Sequence, residues 1–70
     1  MLQFNYSALL GLMREKGYTQ EALANKVGIS ATQLSQKLNG HFAFKQTDIQ
    51  GIVDALDISP AEIGRYFFAT

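Results

Sequence analysis

The sequence predicts an all-α fold, a compact bundle of about five short helices that contains a helix-turn-helix. Apolar residues recur at spacings of three and four in five successive segments, which is the helical period. Glycines or small polar residues separate these segments, and no stretch alternates for long enough to predict a strand. The chain has 70 residues, of which 47% are hydrophobic and 17% charged. This length and composition predict one globular domain over residues 1–70.

The first segment predicts a helix over about residues 5–16. Its apolar stripe includes Leu9 and Met13, and Gly17 follows at the position of a left-handed C-cap. Gly11 lies inside this helix, where glycine costs about 1 kcal/mol relative to alanine. We therefore expect another part of the chain to pack closely at Gly11.

The second and third segments predict helices over residues 20–27 and 31–38. Thr19 precedes the second segment as an N-cap. Ser30 precedes the third and is followed three residues later by Gln33, which is a capping-box pattern.

The fourth segment predicts a helix over about residues 48–56, and the fifth predicts one that begins at Pro60. Proline is favoured at the first position of a helix because its missing N–H is not needed there. The two expected capping boxes are Thr47 with Gln50 and Ser59 with Glu62.

The junction between the second and third helices predicts a helix-turn-helix because the turn is only about three residues long. Gly28 can adopt the positive φ that a sharp turn requires. Ala24 is small where the two helices would cross, Ile29 fills the space between them, and Leu34 anchors the second of them to the core.

The outer face of this predicted third helix suits contact with DNA. Glutamine can bond adenine in a bidentate way, threonine and alanine methyl groups can contact thymine, and lysine can reach a phosphate. A solvated helix surface is the alternative interpretation of the glutamines. The residues expected on this face are Ser30, Ala31, Thr32, Gln33, Ser35, Gln36 and Lys37.

Residues 19–40 resemble the helix-turn-helix of the lambda-repressor-like family, which includes phage repressors and Cro proteins. The flanking helices also fit that five-helix domain, so the resemblance covers about residues 5–67. The stretches FNYSALLGLMREKGYTQEALA and DISPAEIGRYFF resemble small Cro-like proteins of temperate phages of Gram-positive bacteria. The matching positions are Thr19-Gln20, Leu23-Ala24, Val27-Gly28, Leu34 and Asn39-Gly40.

The resemblance implies a role for individual side chains. Gln20 would hold a phosphate and support the third helix, whose residues Ala31, Thr32 and Gln36 would face base edges. Many relatives carry glutamine at the position of Ala31, so the bidentate contact with adenine is lost there. The residues implied near the sugar-phosphate backbone are Ser30, Gln33, Asn39, His41 and Lys45.

Two functions are compatible with these features. The first is a sequence-specific transcriptional regulator, a Cro-like repressor that binds a pseudo-palindromic operator in double-stranded DNA as a homodimer. The second is an antirepressor or modulator that binds a partner phage repressor protein instead of DNA. The residues that would form a homodimer interface are Phe4, Tyr66, Phe67 and Phe68, unless the two ends of the chain merely pack on each other.

The charge distribution bears on both functions. The net charge is zero, whereas DNA-binding domains are commonly basic. Residues 14–45 nevertheless carry five basic and two acidic side chains, and residues 46–70 carry one basic and four acidic. The helix-turn-helix half is therefore the basic half, and the acidic half can face away from DNA.

Other functions are disfavoured. The chain has no cysteine and one histidine, which predicts no metal site, no cofactor and no enzyme activity. The carboxylates at residues 48, 54, 57 and 62 are expected at helix starts or on exposed faces, with capping and solubility roles. Phe42 and Phe44 are expected to tuck onto the core. No apolar run approaches the ~18 residues of a bilayer-spanning helix, so a cytoplasmic location is expected. The resemblance to phage proteins implies a bacterial host and association with its nucleoid.

Overall fold

The computed structural model describes residues 5–68, and this part of the chain contains five α-helices, one 3₁₀ turn and no strand. The all-α prediction is therefore confirmed. Helix α2 packs against both α3 and α4, and α1 packs against α5. The helices are α1 (Ser7–Glu15), α2 (Gln20–Val27), α3 (Ala31–Leu38), α4 (Gln46–Leu56) and α5 (Ile63–Phe67), with the 3₁₀ turn at Pro60–Glu62 before α5.

The predicted ends of α2 and α3 are confirmed. The Thr19 hydroxyl accepts a hydrogen bond from the Ala22 N–H at 3.1 Å. The Ser30 hydroxyl accepts from the Gln33 N–H, and the Gln33 side-chain oxygen accepts from the Ser30 N–H, each at 3.1 Å. Gly28 adopts φ 91° at the turn, a conformation that costs glycine little. The boundaries of both helices thus follow from side chains within three residues of each end.

Close packing between helices occurs at a different glycine from the one predicted. Gly11 is exposed, and a Cβ atom built there would meet no atom within 4 Å, so that prediction is wrong. A Cβ on Gly51 in α4 would lie 3.3 Å from Cγ1 of Val27 in α2. The absence of a side chain at Gly51 therefore lets α2 and α4 approach each other.

The starts of the last two α-helices differ from the prediction. Helix α4 begins at Gln46, and Lys45 occupies the N-cap position expected for Thr47. The Lys45 N–H donates to the Asp48 carboxylate at 2.9 Å, because a carboxylate three residues into the helix is a strong acceptor for this otherwise unpaired donor. The expected hydroxyl cap at Ser59 does not form, and its backbone oxygen instead accepts from Glu62 N–H at 2.9 Å within the 3₁₀ turn.

The core lies between all five helices. Each of α1 to α4 contributes at least one fully buried leucine or isoleucine, as predicted for Leu23, Leu34 and Ile52. An aromatic cluster extends this core. The Phe44 ring makes edge contacts with Tyr6, at 5.1 Å between centroids, and with Phe67, at 5.5 Å. Burial raises the pKa of the Tyr6 phenol.

Candidate functional site on the third helix

The outer face of α3 carries short and amide side chains, as the sequence predicts, but it lacks the lysine that was also expected there. The residues exposed there are Ser30, Ala31, Thr32, Gln33 and Gln36, and Ser35 is half-buried. Gln33 and Ser30 are partly committed to their reciprocal cap. The Asn39 amide group donates to the Ser35 hydroxyl at 3.4 Å. Local hydrogen bonds at the two ends of α3 therefore hold several of these polar groups in place.

Lys37 does not lie on this exposed face, and the prediction of its exposure is wrong. Its exposed fraction is 8%, and its ammonium group pairs with the Asp48 carboxylate. Asp48, expected to be a solvated helix-start residue, is also buried, with 4% exposure. Lys37 lies three residues after the buried Leu34, on the inner side of α3. The pair therefore neutralises the one lysine of α3 inside the fold.

The electrostatics of Asp48 reflect its partners. Burial by itself raises the pKa of the Asp48 carboxyl, but hydrogen bonds from the Lys37 ammonium and the Lys45 N–H lower it overall, together with the charges of both lysines. The carboxyl is consequently ionised at neutral pH. One side chain thus joins α3 to the first turn of α4 and fixes the segment between them.

That connecting segment brings an aromatic side chain next to α3. Phe42 was expected to tuck onto the core, yet it is 59% exposed, so this expectation is wrong, whereas the expectation for Phe44 is confirmed. The two phenylalanines flank Ala43, and of these two side chains Phe44 packs against the core whereas Phe42 faces solvent. Phe42 borders an open depression of about 310 Å³. Its lining residues are Gln33, Gln36, Lys37, Phe42, Ala43 and Lys45.

The remaining predicted site residues occupy other positions. Gln20 is exposed at the start of α2 and lines a separate depression of about 340 Å³ with residues of α1. Asn39 and His41 are exposed in the turn after α3, and the His41 N–H donates to the Gln36 backbone oxygen at 2.9 Å. The structure therefore brings Gln33, Gln36 and Lys45 together with Phe42, but it places Gln20 in a different depression.

The expected dimer interface is corrected at one position. Phe67 is a core residue with 2% exposure, so it does not belong to an exposed patch. Tyr66 is half-buried, and Phe68 is 55% exposed. Phe4 lies outside the described residues. Phe67 is buried in the core because its ring packs against Phe44 in the aromatic cluster.

The family of this chain is decided by its whole length. The profile of a family described as a protein of unknown function, DUF739, matches residues 2–70. The chain belongs to the DUF739 family. No functionally curated protein matches the sequence of this DUF739 protein. Within the described residues, no helix is long and apolar enough to cross a membrane.

A solved structure is similar to this DUF739 protein over nearly all of both chains. It is the solution structure of the modulator of repression (MOR) of the temperate bacteriophage TP901-1 from Lactococcus lactis. The sequence identity is 37%, the TM-score is 0.78, and the match covers 96% of this chain and 90% of the other. The chain thus shares its all-α fold with a bacteriophage regulatory protein.

Proposed function

We propose that this DUF739 protein is a phage modulator of repression that binds a partner repressor protein, and that it does not act by binding DNA itself. The single observation that carries the proposal is the composition of the α3 face. Lys37, the lysine of that helix, is buried against Asp48, and the large side chain exposed beside the helix is Phe42.

Charge supports a protein partner over DNA. Contacts between cationic side chains and phosphates supply essentially all non-specific affinity for DNA. The pairing of Lys37 with Asp48 removes one of the five cations in the basic half of a chain that has no net charge. Exposed aromatic side chains with uncharged polar neighbours are, in contrast, enriched where proteins contact proteins.

The similarity to the phage modulator of repression supports the same proposal. That protein is 37% identical over 96% of this chain, so the two share a core and a helix arrangement. The repressor is a direct target for a small protein that modulates repression, and a chain without net charge has little non-specific attraction to the operator DNA.

A binding experiment tests this function. The purified protein is titrated into the purified phage repressor whose gene is found in the same phage genome, with calorimetry as the measurement. In parallel, the protein alone is added to DNA from the neighbouring promoter region in a gel shift at ~50 mM salt, where electrostatic binding is strong. We expect a complex with the repressor and no shift of the DNA. A DNA shift by the protein alone, without a complex, would contradict the proposal.

An operator-binding repressor of the lambda-repressor-like type is the second candidate function. It is favoured by the exposure of Ala31, Thr32 and Gln36 on α3, the helix that follows the short turn after α2. A dimer would place two such helices in successive major grooves, about 34 Å apart. Phe68, which is 55% exposed, would lie in the interface of that dimer.

Substitution of the α3 side chains distinguishes this second candidate. If Thr32 and Gln36 contact bases, Thr32→Ala and Gln36→Ala should each weaken operator binding by about 1–3 kcal/mol. Gln50→Ala, which removes an exposed amide from α4, is the matched control and should leave operator affinity unchanged. Operator binding that is insensitive to both α3 substitutions would exclude this face as the DNA contact.

A further inference from the structure

We propose that the partner protein docks on a specific surface, the Phe42 face, which consists of Phe42, Gln33, Gln36 and Lys45 around the depression beside α3. The partner would place an apolar side chain in the depression against the Phe42 ring and a carboxylate next to Lys45. This inference rests on the proposed function, because it assumes that the ligand is a protein.

The segment that carries Phe42 is held at both ends. On one side, the His41 N–H donates to the Gln36 backbone oxygen at 2.9 Å, and Gly40 adopts φ 82°. On the other, Phe44 packs between Tyr6 and Phe67, and the Lys45 N–H donates to Asp48. A side chain presented on an anchored segment loses little conformational freedom when it binds, which favours affinity.

The size of the depression suits a side chain. Its volume is about 310 Å³, at the lower limit of the ~300–1,000 Å³ that is typical of small-molecule pockets. Phe42 and Ala43 are the apolar residues of its lining, and Gln33 and Gln36 are the uncharged polar ones. An apolar anchor surrounded by polar groups is the usual composition of a protein interface.

The positive charge on the Phe42 face favours a partner that has a carboxylate next to its apolar side chain. No carboxylate lines the depression, and the Lys37 charge is compensated by Asp48. Lys45 is therefore the exposed cation of the lining, and it is the complement of a single carboxylate. Duplex DNA would present phosphates on both sides of a groove, which a single lysine does not match.

Two substitutions with matched controls test the surface. Phe42→Ala removes the aromatic ring, and Phe68→Ala removes the other large apolar side chain that is exposed in the described part of the chain. Lys45→Gln removes the cation of the face, and Lys26→Gln removes an exposed cation from α2. Each variant is titrated by calorimetry against the same purified phage repressor, and circular dichroism melting verifies its fold.

We expect Phe42→Ala to raise Kd by at least ~10-fold, the effect of a central interface anchor. Lys45→Gln should raise Kd by about 3-fold and flatten its salt dependence, because charges at the edge of an interface are screened. Both controls should stay within about 2-fold of wild type, as surface residues outside the contact do.

The outcomes separate the surface from the function. A wild-type protein that does not bind the repressor overturns the proposed function and this inference with it. A wild-type protein that binds, with Phe42→Ala binding equally well, overturns the surface alone. A loss of binding caused by Phe68→Ala, with Phe42→Ala binding normally, overturns the surface and moves the interface to the end of α5.

Discussion

Replacement of Phe67 by alanine is expected to lower the free energy of unfolding by about 3–5 kcal/mol, the usual cost of truncating a buried aromatic side chain. Its ring is 2% exposed and meets Phe44 edge to face, with the centroids 5.5 Å apart and the planes at 85°. Phe44 in turn contacts Tyr6, so the cavity would loosen the contact between both ends of the bundle. Domains are stable by only about 5–15 kcal/mol in total.

The neighbouring phenylalanine is the matched control for this prediction. Phe68 is 55% exposed, and its replacement by alanine should cost clearly less stability than the replacement of Phe67, because less of its side chain is buried. Urea unfolding followed by circular dichroism measures both variants. Similar losses for the two, or none at Phe67, would contradict the placement of Phe67 in the core and return it to the exposed patch that the sequence suggests.

The features that the sequence predicts correctly depend on interactions between residues that are close in the sequence. The limits of α2 and α3 could be predicted because Thr19, Ser30 and Gln33 form their hydrogen bonds within three residues, and Gly28 adopts the expected positive φ. The hydrogen bonds that cap a helix form between residues only a few positions apart. The buried leucines followed in the same way from the helical period.

Interactions between distant residues account for the errors. Thr47 is a plausible N-cap when α4 is considered alone. Asp48, however, accepts the Lys45 N–H and also pairs with Lys37, eleven residues earlier, and no local rule indicates that pair. Lysine is rarely buried without a partner, so its expected position is the surface. The three-residue spacing between Leu34 and Lys37 indicates that Lys37 lies on the inner face of α3. The general preference of lysine for the surface pointed the other way.

The candidate site was predictable to the same extent. The polar outer face of α3 followed from its sequence, since Thr32 and Gln36 lie opposite Leu34 in the helical period, but the sequence also placed Lys37 there. The exposure of Phe42 did not follow, because the sequence does not specify which of two alternating phenylalanines completes the cluster between Tyr6 and Phe67. That choice decides whether the edge of α3 is polar or carries an aromatic anchor, and hence which class of partner it suits.

The buried ion pair should be as costly to break as the aromatic cluster. Lys37→Met leaves the Asp48 carboxylate buried without its cation, and removal of one partner from such a pair typically costs about 3–5 kcal/mol. Asp48→Asn leaves the ammonium without its anion but keeps an oxygen to accept the Lys45 N–H. The double variant Lys37→Met/Asp48→Asn should lose less than the two single losses together, because no uncompensated charge remains.

The pH dependence of the free energy of unfolding, compared between the wild type and Lys37→Met, tests the same ion pair. In the wild type, the pKa of Asp48 is below its ordinary value of 3.8, so the pair's contribution is complete above that value. It is lost as the pH falls through the lower folded pKa, because the unfolded state binds the proton first.

In Lys37→Met, the hydrogen bond and the charge of Lys37 no longer lower the pKa of Asp48, so its folded pKa should lie above that of the wild type. The stability difference between the two proteins should therefore shrink on acidification from pH 7 towards 4, because the carboxylate takes up a proton more readily in the variant. Urea unfolding across this range measures the difference between the two proteins. A stability difference between wild type and Lys37→Met that stays constant with pH would contradict an ionised, lysine-paired Asp48. If Lys37→Met costs the same stability in the Asp48→Asn background, the loss is due to the packing of the Lys37 stem.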